Sequence, residues 1–594
     1  MSGRKFVIYL ILACFIGPLA TGCKKSPSQE APRNQNPPPS QPPSRLETVA
    51  RLHWLGKRRL ATETNAAPFM SLWALPESQK LEAQTLDKLA LAPWNLPRDG
   101  TNTAAIVATN ANTLLLRPLL EDLVQEECYL EIRGNLHRAA TGQDGGASAP
   151  ATRADTAVSA TEIALAIRLD DARSRLWKTN LTSVLASLQS GSQHPISSIQ
   201  HPTFLRTAQW TVIAFLPVVD QRPPDARSTF GQDGWIEQLA NRLGQDNNLP
   251  FEETNSWLEA ELDLNGLSKA LELGWHLPEN TPQLALTMTA EGGSVRSVGR
   301  LNFAKPLRLE LEPWNIPTNL IHDPLASFTA IRGTKSLLAS SQIWNNLQLG
   351  EPINQAVFWA QTAYPFQTFW AAPAADASNR VHEIGTRLIQ NANPWLSTNG
   401  EGAFEMLTNA NGVTLSKVLY MDPFLKSTAE AQTDFITGGL TQGAMTQAPA
   451  PAVLFQQFME RTNLVAYDWE LAGLRVESWL YIGQLFRVIA HKPQVPPESA
   501  SVKWLQALGE KLHNCATVVS MTSPTQLSFV RRSDLGLSSV ELHLLADWLE
   551  STKFPTGLHT FTAPPPPPPR HHSRTNAVPG SIGATNTPSA PPNP

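Results

Sequence analysis

The chain has 594 residues, a formal net charge of −4 and only 16% Asp, Glu, Lys and Arg, below the ~25% usual for soluble proteins. No basic excess points to a nucleic-acid partner. Without its low-complexity ends the body keeps roughly 500 residues, enough for sizeable cores and more than one domain.

Arg4 and Lys5 open the chain, and Phe6 to Ala20 follows without charge and mostly apolar. That run is short of the ~20 residues a membrane-spanning helix needs. A positive start, a short apolar core and small residues before a cut site form the pattern of an export signal. The run ends in Ala20-Thr21-Gly22-Cys23. This ending resembles the lipobox of bacterial lipoproteins, with Ala20 where the family prefers Leu; the resemblance covers residues 1–23 alone. It implies a signal peptide over 1–22, acylation (palmitate) of Cys23, and a cell-envelope address, periplasm-facing or at the outer membrane. Lys24 stands where the family's inner-membrane retention signal has Asp. Several acyl chains anchor firmly where one is marginal. Residues 23–46 read as a Pro-rich tether, since seven prolines between Lys24 and Arg45 make an extended, semi-rigid spacer.

A first α+β domain is expected over 47–305. Glu47 to Leu91 reads as mostly helical, with Lys57-Arg58-Arg59 on a solvated face. Pro76-Glu77 opens a helix that Pro93-Trp94-Asn95 and Pro97 end. Thr113 to Val124 is a short apolar segment around Pro118, and Tyr129 to Ile132 alternates as a strand. Residues 139–160, rich in Gly, Ala, Ser and Thr, read as a disordered insertion. Glu162 to Leu169 is a strand, Arg173 to Leu188 an amphipathic helix, Thr207 to Leu216 a strand and Trp235 to Leu243 a helix. Trp257 to Leu264 is a strand with Leu258, Ala260, Leu262 and Leu264 inward and Glu259, Glu261 and Asp263 outward. Leu284 to Phe303 is a hairpin turning at Gly292-Gly293.

A second α+β domain is expected over 306–562. Phe328 to Ile331 and Ala356 to Trp370 are strand-like, and Arg380 to Leu388 is a helix. Leu407 to Met421 is a hairpin at Asn411-Gly412, and Leu464 to Tyr481 another at Ala472-Gly473. Ser501 to Leu512 is a helix. Ala516 to Met521 and Leu527 to Val530 pair around Pro524, and Ser538 to Leu549 is a helix whose Ser538 and Glu541 form a capping box. Residues 563–594, beginning in a proline run, read as a disordered tail.

The fold class is therefore α+β: antiparallel, hairpin-rich sheets with packed amphipathic helices. An internal echo points to two related halves. Pro93-Trp94-Asn95 returns as Pro313-Trp314-Asn315, and Ala166-Ile167-Arg168 as Ala330-Ile331-Arg332, a short-motif form of the repeat test.

Of four cysteines, Cys14 leaves with the signal and Cys23 takes the lipid. Cys128 and Cys515 either bridge the two ends of the body or stand as two buried thiols. No metal or catalytic site is assigned and no cofactor is implied. Glu261 to Glu272 approaches a calcium loop, but a strand precedes it and Lys269 sits inside, so it reads as a strand–turn–helix corner. His382-Glu383 lacks the second histidine of a zinc helix, with Thr386 in its place. His513 and Cys515 lack anything to lower the thiol pKa. Three functional readings follow. The first is a lipid-anchored, non-enzymatic binding or scaffold module with an envelope protein partner. The second is an anchored hydrolase of envelope glycan or peptide, using two carboxylates the sequence does not pair. The third is a periplasmic assembly factor. The seventeen tryptophans serve the core or a binding face.

Overall fold

The computed structural model describes residues 46–95, 110–134, 161–190, 202–216, 234–245, 256–271, 273, 275, 277–362, 367–398, 403–409, 412–416, 422–430, 432–441, 448–489, 495–551 and 554–555. The expected signal, Cys23, the tether, the 139–160 insertion and the tail lie outside them. All described residues fall in one compact unit, Met1–His559. The expected boundary near residue 305 lies in the link between the eighth and ninth strands. None of the described helices is long and apolar enough to cross a membrane.

In chain order the first elements are β1 (Glu47–Trp54), α1 (Lys57–Leu60), α2 (Ala67–Trp73), α3 (Pro76–Asn95), α4 (Asn110–Gln125), β2 (Cys128–Gly134), β3 (Thr161–Arg168) and α5 (Asp171–Ser190). Next come β4 (Thr203–Thr207), β5 (Trp210–Phe215), α6 (Trp235–Gly244), β6 (Leu258–Asp263), α7 (Leu264–Ala270), β7 (Gln283–Glu291) and β8 (Ser294–Asn302). The rest are β9 (Leu325–Arg332), α8 (Lys335–Ala339), α9 (Gln342–Leu347), β10 (Gln355–Gln361), β11 (Thr368–Pro373), α10 (Ala377–Thr398), β12 (Glu405–Asn409), β13 (Gly412–Ser416), β14 (Phe424–Glu430) and β15 (Thr433–Gly439). They close with α11 (Ala452–Met459), β16 (Leu464–Leu471), α12 (Ala472–Ile489), α13 (Ala500–Gly509), β17 (Asn514–Ser523), β18 (Gln526–Ser533) and α14 (Ser539–Glu550). The mixed α+β class holds, with an extensive antiparallel sheet.

The eighteen described strands form one antiparallel ladder, in the order β4-β5-β3-β2-β1-β6-β7-β8-β18-β17-β16-β9-β10-β11-β15-β14-β13-β12. At the central junction Val298 of β8 lies opposite Val530 of β18. One residue beyond each valine, a cross-strand row runs outward. On one side it is Gly299, Leu286, Ala260, Leu52, Leu130, Leu165, Ile213. On the other it is Arg531, Thr517, Asp468, Thr329, Phe358, Trp370, Gly438. The rows pass through strands in the same relative chain order. Ala260 and Asp468, at the same step, each stand four residues before the next helix.

The Leu52–Leu130–Leu165 face packs under α3, α4 and α5, with Leu116, Leu119, Leu120 and Leu123 of α4 and Trp177 and Leu181 of α5 all buried. Each such side chain contributes about 1.5–3 kcal/mol on burial. The opposite face of β3 and β5 carries Ala166 and Val212 beneath Ile236 and Leu239 of α6. Across the junction, Phe328, Val357 and Trp359 lie beneath Phe455 and Phe458 of α11. Helix α10 packs on β13, β14 and β15 through Val381 against Val413, Leu425 and Ile436. Leu505 and Leu508 of α13 meet Val476 of α12 and Leu81 of α3.

Several expectations are corrected. Glu47 to Trp54 is a strand, paired on both sides. Because both its faces are covered, its buried residues run together and hide the period of two. Glu259, expected outward, is buried for the same reason. Leu464 to Tyr481 is not a hairpin: β16 runs directly into α12. Gly473 is there for contact, since a Cβ on it would meet the Gly509 carbonyl oxygen at 2.2 Å. The strand expected over 207–216 is β5, Trp210–Phe215, and the turn at Ala208 pairs it with β4 before it; Pro93 lies inside α3. The echoed motifs occupy different places in the ladder. Ala166-Ile167-Arg168 is on β3, and Ala330-Ile331-Arg332 is on β9, the strand in the position of β1.

Candidate functional site

A cleft of about 810 Å³ opens at one end of the sheet. It is walled by α1, the C-terminal half of α4, the end of β3, the start of α5 and the β4–β5 turn. Gly56 sets the first wall. With φ +89° it adopts a backbone that only glycine takes freely, and the chain passes tightly over residues 125–127. In the run after it Arg58 and Arg59 are exposed, as a solvated face requires, yet all three cations are paired. Lys57 Nζ meets Glu82 at 2.7 Å, Arg58 meets Glu126 at 2.6 Å and Arg59 meets Glu127 at 2.9 Å. Three neighbouring cations thus clip α1 to α3 and to the segment after α4.

Four arginines and four carboxylates line the cleft. Buried Asp122 is forked by Arg173, accepts from Trp177 Nε1 at 2.8 Å and so fixes α5 against α4. Asp170 Oδ1 accepts from the Arg173 backbone N–H at 2.7 Å, capping α5. Arg206 donates to Asp171 and to Thr211. Burial pushes the Glu126 carboxyl above its ordinary range; Arg58 pulls it back, and Asp122 adds to the rise.

Arg168 links the cleft to a buried cluster beneath. Its guanidinium lies 5.3 Å over Trp210, and Nη1 meets Glu127 at 3.2 Å. Glu127 also accepts from Arg59 and sits 3.1 Å from His53 Nε2. Burial alone would raise the Glu127 carboxyl, but His53, Arg168 and Arg59 hold it below the usual range. A second buried cluster has the opposite sense. Asp468 accepts from Thr329 at 2.6 Å, and Glu470 caps α14 through the Ser539 N–H at 2.7 Å and its hydroxyl. Burial raises both carboxyls above their ordinary values.

These shifts predict two pH limbs. A lowered folded value makes Glu127 stabilising above the unfolded range near ~4.3, and that contribution is lost as pH falls through the folded value. Raised folded values make Asp468 and Glu470 stabilising only below ~3.9 and ~4.3, with loss as pH rises through the folded values. Urea midpoints followed across the acid-to-neutral range should show E127Q flattening the acid limb. The D468N/E470Q pair should flatten the decline on the neutral side. Unchanged limbs in both variants would contradict the assignment.

Of the residues read from sequence, Cys128 and Cys515 are buried thiols not joined in a disulfide. Six inter-strand steps separate β2 from β17, roughly 29 Å at ~4.8 Å each, against a bonding limit of about 7 Å between Cα atoms. Cys515 is pushed up to about 12, by burial first and Glu470 next, which keeps the thiol inert. Exposed His513 bonds Asp534, not Cys515. Asp263 caps α7 through the Gly266 N–H at 2.9 Å, making the strand–turn–helix corner. Trp177, Trp504 and Trp548 are buried. Sequence reasoning missed the cleft; the only local signal was Lys57-Arg58-Arg59 set against Glu126-Glu127.

Comparison with known proteins gives no match: no family model covers the chain, and no curated protein or solved structure is significantly similar to it.

Proposed function

We propose that the chain is a lipid-anchored cell-envelope protein, tethered through Cys23, whose body is a non-enzymatic binding or scaffold module. One observation carries the reading: the cleft's inner carboxylates are already engaged. Asp122 is held by Arg173 and Trp177, Glu126 by Arg58, and Asp170 by a backbone N–H. A general base must reach the substrate proton it takes, and these oxygens are already occupied by the protein's own donors. The lining also carries four guanidinium groups, with Gln125 and Gln209. The second reading, an anchored hydrolase, is favoured by the raised Glu126 carboxyl close to Asp122 and Asp170.

We also infer that the two outward runs of the ladder descend from one duplicated unit. Support comes from the register. Strand order, pairing and the approach to the following helix correspond step by step from Val298 and Val530 outward, with β12–β13 as an addition.

The test is purification of the full-length chain from its own membranes in mild detergent, read by native mass spectrometry. It compares wild type with a variant carrying Arg58→Glu and Glu121→Arg, both exposed cleft residues. A lipidated chain with a stoichiometric partner that the variant loses is expected. A lone chain from both preparations would overturn the scaffold. An unmodified Cys23 would overturn the anchor, and glycan or peptide turnover abolished by Glu126→Gln would establish the hydrolase instead.

A further inference from the structure

Helices α12, α13 and α14 pack together through Val476, Leu505, Leu508, Leu542 and Ala546. Beside that apolar seam lies a polar one. Arg487 of α12 pairs with Asp547 of α14, and both are buried. One turn before Asp547, His543 lays its ring on the α12 backbone at Gly483. A Cβ at Gly483 would meet Nε2 at 2.8 Å and Cε1 at 2.9 Å. The glycine admits the ring and offers it no side-chain acceptor. Nδ1 of His543 is closed off from solvent and has no hydrogen-bond partner among the described residues.

His543 lines a small pocket between the three helices. Arg487 and Gln484 enter it from α12, and Asp547 and Glu550 from His543's own helix. Helix α13 brings Ser501, Val502 and Leu505, none of them charged. Gln484 is engaged at both ends of its amide with the Val495 backbone. Lys88 of α3 bonds the Leu549 carbonyl at 2.7 Å, at the end of α14. The pocket holds about 30 Å³, room for about two waters at ~10–15 Å³ each, too little to hydrate a charged ring. A proton added to neutral imidazole makes both nitrogens donors. Nδ1–H would then face no acceptor, and a second cation would stand beside Arg487. Burial accordingly holds the imidazole below its ordinary value; Asp547 pulls it up and Arg487 pushes it down.

We propose that His543 makes the contact between α12 and α14 a pH-sensitive latch. Neutral imidazole keeps it closed, and protonation opens it by driving the ring off Gly483 and away from Arg487 into water. A histidine with a lowered folded value costs stability as pH falls through the unfolded value near ~6.5. That loss is complete below the folded value. The raised carboxyls of Asp468 and Glu470 act in the opposite direction over the same range. The latch is therefore read as a difference between wild type and a chain that lacks the imidazole.

Hydrogen exchange of the full chain, followed by mass spectrometry from about pH 7.5 to about pH 5, tests it. Each rate is divided by its intrinsic value at that pH. Opening of α12 and α14 is expected to rise at least ~fivefold more in wild type than in His543→Gln. The ceiling for one histidine of ordinary pKa is ~30-fold over this range. His543→Leu, which also takes no proton, keeps the comparison available where glutamine disturbs the packing. Amides of α5, on the far run of the ladder, should show no such difference. In carbon-13 NMR the histidine signal missing from His543→Gln should titrate below ~6.5. Equal pH profiles in wild type and both variants would overturn the proposal. So would a His543 midpoint at or above ~6.5, or a difference spread evenly over α5, α12 and α14.

Discussion

Replacing Arg332 by Met is expected to cost about 4 kcal/mol of stability, since buried acceptors left without donors cost ~1–3 kcal/mol each. Arg332 is 2% exposed, and no carboxylate among the described residues pairs with it. Its guanidinium donates to the carbonyls of Leu464, Glu312, Arg461 and Thr462, and lies 4.5 Å over the Trp314 ring. It therefore fastens the end of β9 both to the strand that follows α11 and to the segment before β9. Met fills much of the volume and satisfies none of the four acceptors. Lys supplies one ammonium in place of a planar fork, so Arg332→Lys should recover less than half of the loss. Urea unfolding followed by tryptophan fluorescence measures both. A loss below about 1 kcal/mol for Arg332→Met, the size of one ordinary hydrogen bond, would contradict the stapling role.

Gly56→Ala is expected to cost about 3–5 kcal/mol, from a left-handed backbone penalty of ~1–2 kcal/mol plus a steric clash of the kind that overpacks a core. A Cβ on Gly56 would stand 2.5 Å from the Glu126 carbonyl carbon and 2.6 Å from the Glu127 nitrogen. Both are backbone atoms and cannot swing aside. The chain can relieve the clash only by lifting α1, which would strain the Arg58–Glu126 and Arg59–Glu127 pairs and open the cleft wall. Gly292→Ala is the control. Its φ is +58° with nothing within 4 Å of the added carbon, so only the backbone penalty of ~1 kcal/mol applies. Equal losses at the two positions would remove the close approach from the account.

What could be read in the sequence was what is local. The 283–302 and 514–533 hairpins alternate and turn at Gly292-Gly293 and Pro524, and the capping box at Ser538 and Glu541 forms as expected. Strand β1 was hidden because Val49, Ala50 and Leu52 are buried together with His53, on opposite faces, so no alternation remains. Ala472-Gly473 resembled a turn because a glycine's reason is not written beside it; here it is the Gly509 carbonyl, 36 positions on. The cleft draws on residues 58, 118–126, 168–173 and 206–209, from separate connections, and no periodicity joins them. The register correspondence is equally silent, because residues at matching steps differ in chemistry. Leu52 matches Thr329, Ala260 matches Asp468, and Ile213 matches Gly438. The echoed tripeptides therefore pointed toward a real question through the wrong strands.

The account turns on one ladder built outward from β8 and β18, and Val298→Cys with Val530→Cys tests it most directly. Residues directly opposite in an antiparallel pair hold their Cβ atoms about 4.5–5.5 Å apart, close enough for a disulfide after small adjustment. Both valines are half-buried and reachable by a mild oxidant. The account predicts rapid bridging within one chain, an unlowered urea midpoint, and slow bridging in the displaced control Val298→Cys with Arg532→Cys. Absence of the intrachain bridge, or equal rates for the two pairs, would contradict the junction and the correspondence built on it.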